Sequence, residues 1–72
     1  MEKNLFDVHK LNEGGLIKAA MIRDHFQNLL DQLEAIAGAD GRDMAIVRTK
    51  LQEANFFAKR AMAVRKENQE ND

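Results

Sequence analysis

The 72-residue chain contains no cysteine, serine or proline, and each absence narrows its chemistry. Without cysteine it has neither a disulfide nor a thiolate metal site, which fits a reducing cytosol. Only two histidines are present, so we expect no zinc site. We also expect no other metal and no cofactor. Without serine or cysteine there is no Ser/His/Asp or Cys/His set. The sequence therefore predicts a protein without catalytic residues that is not an enzyme.

Long apolar runs are also missing. None approaches the roughly 20 residues that span a bilayer, and the N-terminal M-E-K-N-L-F-D-V-H-K lacks the apolar stretch of a signal peptide. We therefore expect no membrane partner. A chain of 72 residues forms one small domain, and such domains are marginally stable unless disulfides, metals or oligomerisation support them. Of these three, the sequence leaves only oligomerisation.

Two stretches carry apolar residues at helical spacing, each stepping 3,4,3,4,3. The first stretch has Ala19, Ile22, Phe26, Leu29, Leu33 and Ile36, and the second has Met44, Val47, Leu51, Ala54, Ala58 and Ala61. Asn12 is suited to cap the first helix and Gly38 to end it. The second helix starts at Asp40 or Gly41 and runs to about Lys66.

The connection A-G-A-D-G is short, which predicts antiparallel neighbours. The predicted fold class is all-α. An antiparallel two-helix hairpin over residues 12–66 follows a short N-terminal helix or arm over residues 1–11. A frayed tail over residues 67–72 completes the chain.

Further apolar side chains fall outside both apolar stripes, and a two-helix hairpin would leave them partly wet. These are Ile17, Leu30, Ile46, Phe56, Phe57 and Met62. Full burial of one such side chain is worth about 1.5–3 kcal/mol. The pattern therefore predicts a homo-oligomer.

Charge is unevenly distributed, although the formal net charge is only −1. Residues 1–41 hold four basic and seven acidic side chains, whereas residues 42–66 hold seven basic and two acidic ones. A basic second helix suits an adaptor that docks an acidic protein partner, which is an alternative function for this chain. Binding to a DNA or RNA polymer through Arg48, Lys59, Arg60, Arg65 and Lys66 is disfavoured by the acidic first half.

The second helix resembles the hairpin domain shared by phage anti-CBASS sponges and the related anti-Thoeris sponges. CBASS is the bacterial cyclic-oligonucleotide-based antiphage signalling system. The shared pattern is R-x-x-A-I-x-x-T-K-L-x-E-A-x-F-x-A-x-x-A-x-A, which begins here at Arg42 and ends at Ala63. The earlier segment H-K-L-N-E-G-G-L-I-K-A also resembles the start of that domain. The resemblance covers residues 5–64.

This resemblance implies a helical homohexamer that binds cyclic oligonucleotides, such as 3′,3′-cyclic GMP-AMP or cyclic triadenylate, without cleaving them. Cyclic dinucleotides are expected in pockets between protomers, and cyclic trinucleotides at three-fold pockets. Sequestration of these messengers would starve the immune effector in the cytoplasm of the infected bacterial host.

The dinucleotide pocket is predicted to use Phe6, His9, Lys18 and Arg23. An aromatic or imidazole face stacks on a base, and the two cations pair with phosphates. The family places a tyrosine near the N-terminus; this chain has none, so Phe6 or His9 would replace it. The alternatives are arm packing for Phe6, a capping or solvated role for His9, and surface charge for Lys18 and Arg23.

The trinucleotide pocket is predicted to use Arg42, Arg48 and Thr49. A guanidinium holds two phosphate oxygens at once, and a neighbouring hydroxyl donates to the same group. Free N–H groups at a helix start also attract anions near Arg42. The alternatives are a surface role for Arg48, a Thr49 hydroxyl bonded to the carbonyl four residues earlier, and salt bridges from Arg42 to nearby carboxylates.

Overall fold

A computed structural model describes residues 10–70 of the chain. Helix α1 spans Glu13–Ala37, helix α2 spans Arg42–Ala63, and a 3₁₀ turn spans Lys66–Asn68. Within the described residues there is no strand, although Leu11 and Gln69 form an isolated antiparallel bridge. The all-α helical hairpin is therefore confirmed. The predicted N-terminal arm falls almost entirely outside the described residues.

The helix boundaries follow from local chemistry. The side chain of Asn12 accepts the N–H of Gly15 at 2.7 Å, which confirms Asn12 as the cap of α1. Gly38 follows the last residue of α1 with φ +96°, and its N–H donates to the Glu34 carbonyl at 2.8 Å. Gly41 precedes α2 with φ +103°. Both angles lie where side chains other than glycine are strained, so these two glycines make the tight connection possible.

The two helices lie antiparallel and side by side. Near the connection Glu34 meets Arg48, and halfway along the hairpin Phe26 and Leu30 line the same cavity as Leu51 and Asn55. The molecule measures 48 × 23 × 11 Å. Because the shortest dimension is about the diameter of one helix, the hairpin forms a single layer.

In α1 the contact with α2 differs from prediction at two places. Ala19, Ile22, Phe26 and Leu33 are partly buried as expected, but Leu29 and Ile36 are exposed. Leu30 takes the position expected of Leu29. Leu30 therefore takes part in the contact and stays only partly exposed, in line with the partial exposure predicted for it.

In α2 the prediction fails at two positions. Ala54 and Ala61 are exposed, whereas their neighbours Asn55 and Met62 are partly buried and buried, respectively. The buried or partly buried positions include Met44, Arg48, Leu51, Asn55, Ala58 and Met62, which step 4,3,4,3,4. Two of these side chains are polar. Selecting apolar residues alone therefore skipped them and shifted the predicted contact face.

The residues predicted to fray instead pack onto the open end of the hairpin. We call residues 66–70 the C-terminal strap. The amide of Asn68 donates to the Met62 carbonyl at 2.8 Å, and that of Gln69 donates to the Ala63 carbonyl at 2.9 Å. The last carbonyls of a helix lack partners within it, so two side-chain amides shortly after α2 hold the strap in place. The frayed-tail prediction is therefore wrong for residues 67–70, and residues 71–72 lie outside the described range.

A single layer buries little apolar surface. In the described part of the chain, Met44 and Met62 are the buried large apolar side chains. Exposed ones are Leu16, Ile17, Met21, Leu29, Ile36, Ile46, Phe56, Phe57 and Val64. Ile17, Ile46, Phe56 and Phe57 are thus exposed as predicted and Leu30 is partly exposed, whereas Met62 is buried. Neither long helix is apolar enough to cross a bilayer, and the described residues offer no other candidate.

Candidate functional site

Lys18 lies at the open end of the hairpin, where its ammonium is held by an uncharged group. Its Nζ donates to Oδ1 of Asn68 at 2.7 Å. Asn68 is only 1% exposed, and its amide nitrogen is fixed on the Met62 carbonyl. A lysine ammonium has three donors, so this contact orients Lys18 without neutralising its charge.

Asn12 joins the strap to the start of α1. Its backbone N–H donates to the Asn68 carbonyl at 2.9 Å, and its side-chain nitrogen donates to the carbonyls of Glu67 at 2.8 Å and Gln69 at 3.2 Å. One side chain therefore caps α1 and anchors the strap. A Cβ on Gly15 would stand 2.4 Å from the Asn68 carbonyl oxygen, so only glycine allows this close approach.

Phe6 and His9, the predicted stacking residues, lie outside the described residues. Lys10, the first described residue, lies beside the strap. The Glu70 N–H donates to the Lys10 carbonyl at 2.9 Å, and the two side chains form a salt bridge at 3.6 Å. The strap therefore holds Lys10 in place at the open end of the hairpin.

Arg23 lies midway along α1, where its Nε pairs with the Asp24 carboxylate at 2.9 Å. It also lines a cavity of about 160 Å³ between the helices. The other lining residues are Phe26, Gln27, Leu30, Arg48, Leu51, Gln52 and Asn55. The structure thus brings Arg23 and Arg48 to one groove, whereas the sequence placed them in different pockets.

Arg48 ties the connection to both helices. Its Nε donates to the Glu34 carboxylate at 3.0 Å, and its Nη2 donates to the Ala39 carbonyl. The pair is partly shielded, with 36% of the Arg48 side chain and 25% of the Glu34 side chain exposed. Sequence reasoning missed this cross-helix contact. Counting outward from the connection in an antiparallel register would have suggested it.

Thr49 and Arg42 occupy a different face of α2. The Thr49 hydroxyl donates to the Ala45 carbonyl at 3.1 Å, which is the alternative considered for a mid-helix threonine. Arg42 is exposed at the first position of α2, and no salt bridge from it forms within residues 10–70. Residues seven apart share a helix face, whereas successive residues differ by about 100°. In a single chain, therefore, Arg42 and Thr49 point away from Arg48.

Asn55 and Asn68 are polar residues of interest that sequence reasoning missed. Oδ1 of Asn55 is buried beside the inter-helix groove without a hydrogen-bond partner in the described part of the chain. Asn68 was assigned to a solvated tail. Its available signal was the pair of side-chain amides, Asn68 and Gln69, that follows α2 five and six residues after its last residue. The described residues contain no group of three or more His, Cys, Asp or Glu side chains able to hold a metal ion.

Comparison with protein families gives one match. The family model described as Acb2/Tad1, hairpin domain, covers residues 1–63, which is most of the chain. No curated protein and no solved structure matches the chain. The C-terminal strap lies beyond the matched residues.

Proposed function

The chain belongs to the Acb2/Tad1 hairpin-domain family of phage anti-CBASS and anti-Thoeris sponges, and from that membership we propose a specific role. The protein binds cyclic di- and trinucleotide second messengers in the cytoplasm of the infected bacterial host. It releases them uncleaved and so blocks antiphage signalling by sequestration. The single observation that carries this proposal is the family match over residues 1–63.

The proposed active form is a homohexamer. Two observations support assembly: the single-layer hairpin leaves large apolar side chains exposed, and its groove is small. The groove measures about 160 Å³, below the roughly 300–1,000 Å³ of ligand pockets. This groove alone, within residues 10–70, is therefore too small for a cyclic nucleotide, and a second copy would enlarge it.

For cyclic dinucleotides we propose Lys18 and Arg23 as phosphate ligands, with Phe6 or His9 stacking on a base. Lys18 supports this assignment because its charge is not neutralised by Asn68. Arg23 is paired with Asp24, but that pair is mostly exposed and therefore weak, so a phosphate can replace the carboxylate.

For cyclic trinucleotides we propose Arg42, Arg48 and Thr49. A three-fold axis would supply three equivalent copies of one arginine, matching three equivalent phosphates. Arg48 would have to exchange its Glu34 partner for a phosphate, whereas Arg42 is exposed. Arg48→Ala should abolish trinucleotide binding and leave the oligomer and dinucleotide binding intact. If calorimetry shows unchanged trinucleotide affinity, Arg42 becomes the main ligand.

The decisive experiment measures whether the protein binds a cyclic nucleotide and whether that ligand stays intact. The purified protein is incubated with 3′,3′-cyclic GMP-AMP or cyclic triadenylate, separated from free ligand, denatured and analysed by chromatography. Retention of intact ligand is expected, and a linear product would show an enzyme instead. Light scattering should give a mass several times 8.2 kDa. An oligomer that retains neither ligand would contradict the sponge and favour the adaptor alternative.

A further inference from the structure

We propose that the C-terminal strap is part of the dinucleotide-binding apparatus, with Asn68 as the residue that positions the Lys18 ammonium. This inference rests on the proposed function, because it assigns Lys18 to the phosphate of a cyclic dinucleotide. It adds a segment that lies beyond residues 1–63, the part matched to the family. The strap is a contribution of this chain's own C-terminal residues.

The hydrogen bonds around Asn68 allow it to hold the Lys18 ammonium in place. Its amide group works in two directions: the nitrogen donates to the Met62 carbonyl at 2.8 Å, and the oxygen accepts from Lys18 at 2.7 Å. Its backbone carbonyl accepts from the Asn12 N–H at 2.9 Å. Anchored on Met62 and Asn12 and only 1% exposed, Asn68 is held independently of Lys18. Lys18 is therefore held by a fixed acceptor.

How well Lys18 can bind a phosphate depends on whether the group that accepts its hydrogen bond is charged or neutral. A carboxylate at this place would neutralise the ammonium and compete with phosphate for it. A neutral amide leaves the full positive charge and two unused N–H donors. A free lysine loses much rotamer freedom when it binds an anion, whereas the bond to Asn68 already restricts Lys18 before a ligand arrives. Asn68 therefore lowers the entropic cost of binding a phosphate.

The strap also holds Lys10, because the Glu70 N–H donates to the Lys10 carbonyl at 2.9 Å and the two side chains pair at 3.6 Å. Loss of the strap should weaken dinucleotide binding and spare a trinucleotide site on α2.

The test is a double-mutant cycle read by calorimetry with 3′,3′-cyclic GMP-AMP. Asn68→Ala should weaken binding about tenfold, the size expected from freeing one rotamer-rich side chain. Lys18→Met should weaken it further, and adding Asn68→Ala to Lys18→Met should change nothing more, because Asn68 acts through Lys18. Asn28→Ala, an exposed substitution of the same type on α1, is the control with unchanged affinity. Cyclic triadenylate affinity should stay constant throughout.

Additive losses, or an Asn68→Ala variant that binds like the parent, would overturn the inference. If circular dichroism shows that Asn68→Ala does not fold, Gln69→Ala decides instead. That change removes only the bond to the Ala63 carbonyl and should weaken dinucleotide binding about threefold by loosening the strap. Unchanged binding by Gln69→Ala would then reject the role of the strap. A parent protein that binds no cyclic nucleotide at all would instead reject the proposed function.

Discussion

The two ends of the hairpin each hold a cation, but they hold it with different chemistry. At the connection, Arg48 is paired with the carboxylate of Glu34. At the open end, Lys18 is held by the neutral amide of Asn68. The first contact cancels the positive charge, and the second orients it. Two basic residues that look equivalent in the sequence therefore differ in how readily they accept a phosphate.

The ends also differ in what stabilises them. The connection is formed by two glycines and a partly exposed ion pair, and such pairs contribute at most about 1 kcal/mol. The open end is closed by hydrogen bonds around Asn68, which is buried. A buried polar group left without a partner costs about 1–3 kcal/mol. Substitutions at the open end should therefore cost more stability than substitutions at the connection.

The largest effect is expected at Gly15. In Gly15→Ala the new Cβ would lie 2.4 Å from a backbone oxygen of the strap, so the strap has to move. Overpacking of this kind costs about 1–3 kcal/mol, and displacement of Asn68 adds to it. We expect the free energy of unfolding to fall by about 3 kcal/mol, measured by urea denaturation at constant protein concentration.

Gly14→Ala is the matched control for this change. Its Cβ would meet only the Asn12 side chain at 3.5 Å, an ordinary contact. Because alanine is the better helix former, this variant should be as stable as the parent or more so. Equal losses in the free energy of unfolding from both substitutions would mean that the close approach of the strap to Gly15 does not affect stability.

An intermediate effect is expected from Asn12→Ala. The change removes the cap of α1 and two side-chain bonds to the strap, so the free energy of unfolding should fall by about 2 kcal/mol. Asp40→Ala, two residues before α2, should change the free energy of unfolding little, because Gly41 directly precedes α2 and no side chain caps that helix. Thermal unfolding of both variants checks the difference. A greater loss of stability in Asp40→Ala than in Asn12→Ala would mean that the connection, and not the open end, is the more sensitive end of the hairpin.

The local features of the hairpin follow from the sequence alone. The hairpin, the cap at Asn12 and the end at Gly38 were predictable because they depend on local chemistry and apolar spacing. The exposed Ile46, Phe56 and Phe57 were predictable for the same reason. These features need no knowledge of how the helices face each other.

The contacts of the site were less predictable because they depend on helix register. Arg48 and Asn55 face α1 although they are polar, so a search for apolar residues passed over them. Asn68 was missed because its partners, Asn12 and Lys18, are distant in sequence and meet only when the hairpin closes. A polar tail is predicted to be solvated unless the backbone carbonyls to which its side chains can donate are already known.

The smallest effect on stability is expected from Glu34→Gln, which tests the connection end directly. Glutamine keeps an oxygen that accepts from Arg48 but removes the negative charge, so the free energy of unfolding should fall by less than about 1 kcal/mol. If Arg48 is a trinucleotide ligand, the same change should tighten binding of cyclic triadenylate about threefold, because the guanidinium no longer has a competing carboxylate. The control is Glu53→Gln, whose partner Lys50 lies 3.8 Å away in an exposed pair and should affect neither quantity. Calorimetry and urea denaturation of the two variants give both quantities. Weaker ligand binding in Glu34→Gln would mean that Glu34 holds Arg48 in its productive position, and the two ends of the hairpin would then orient their cations alike.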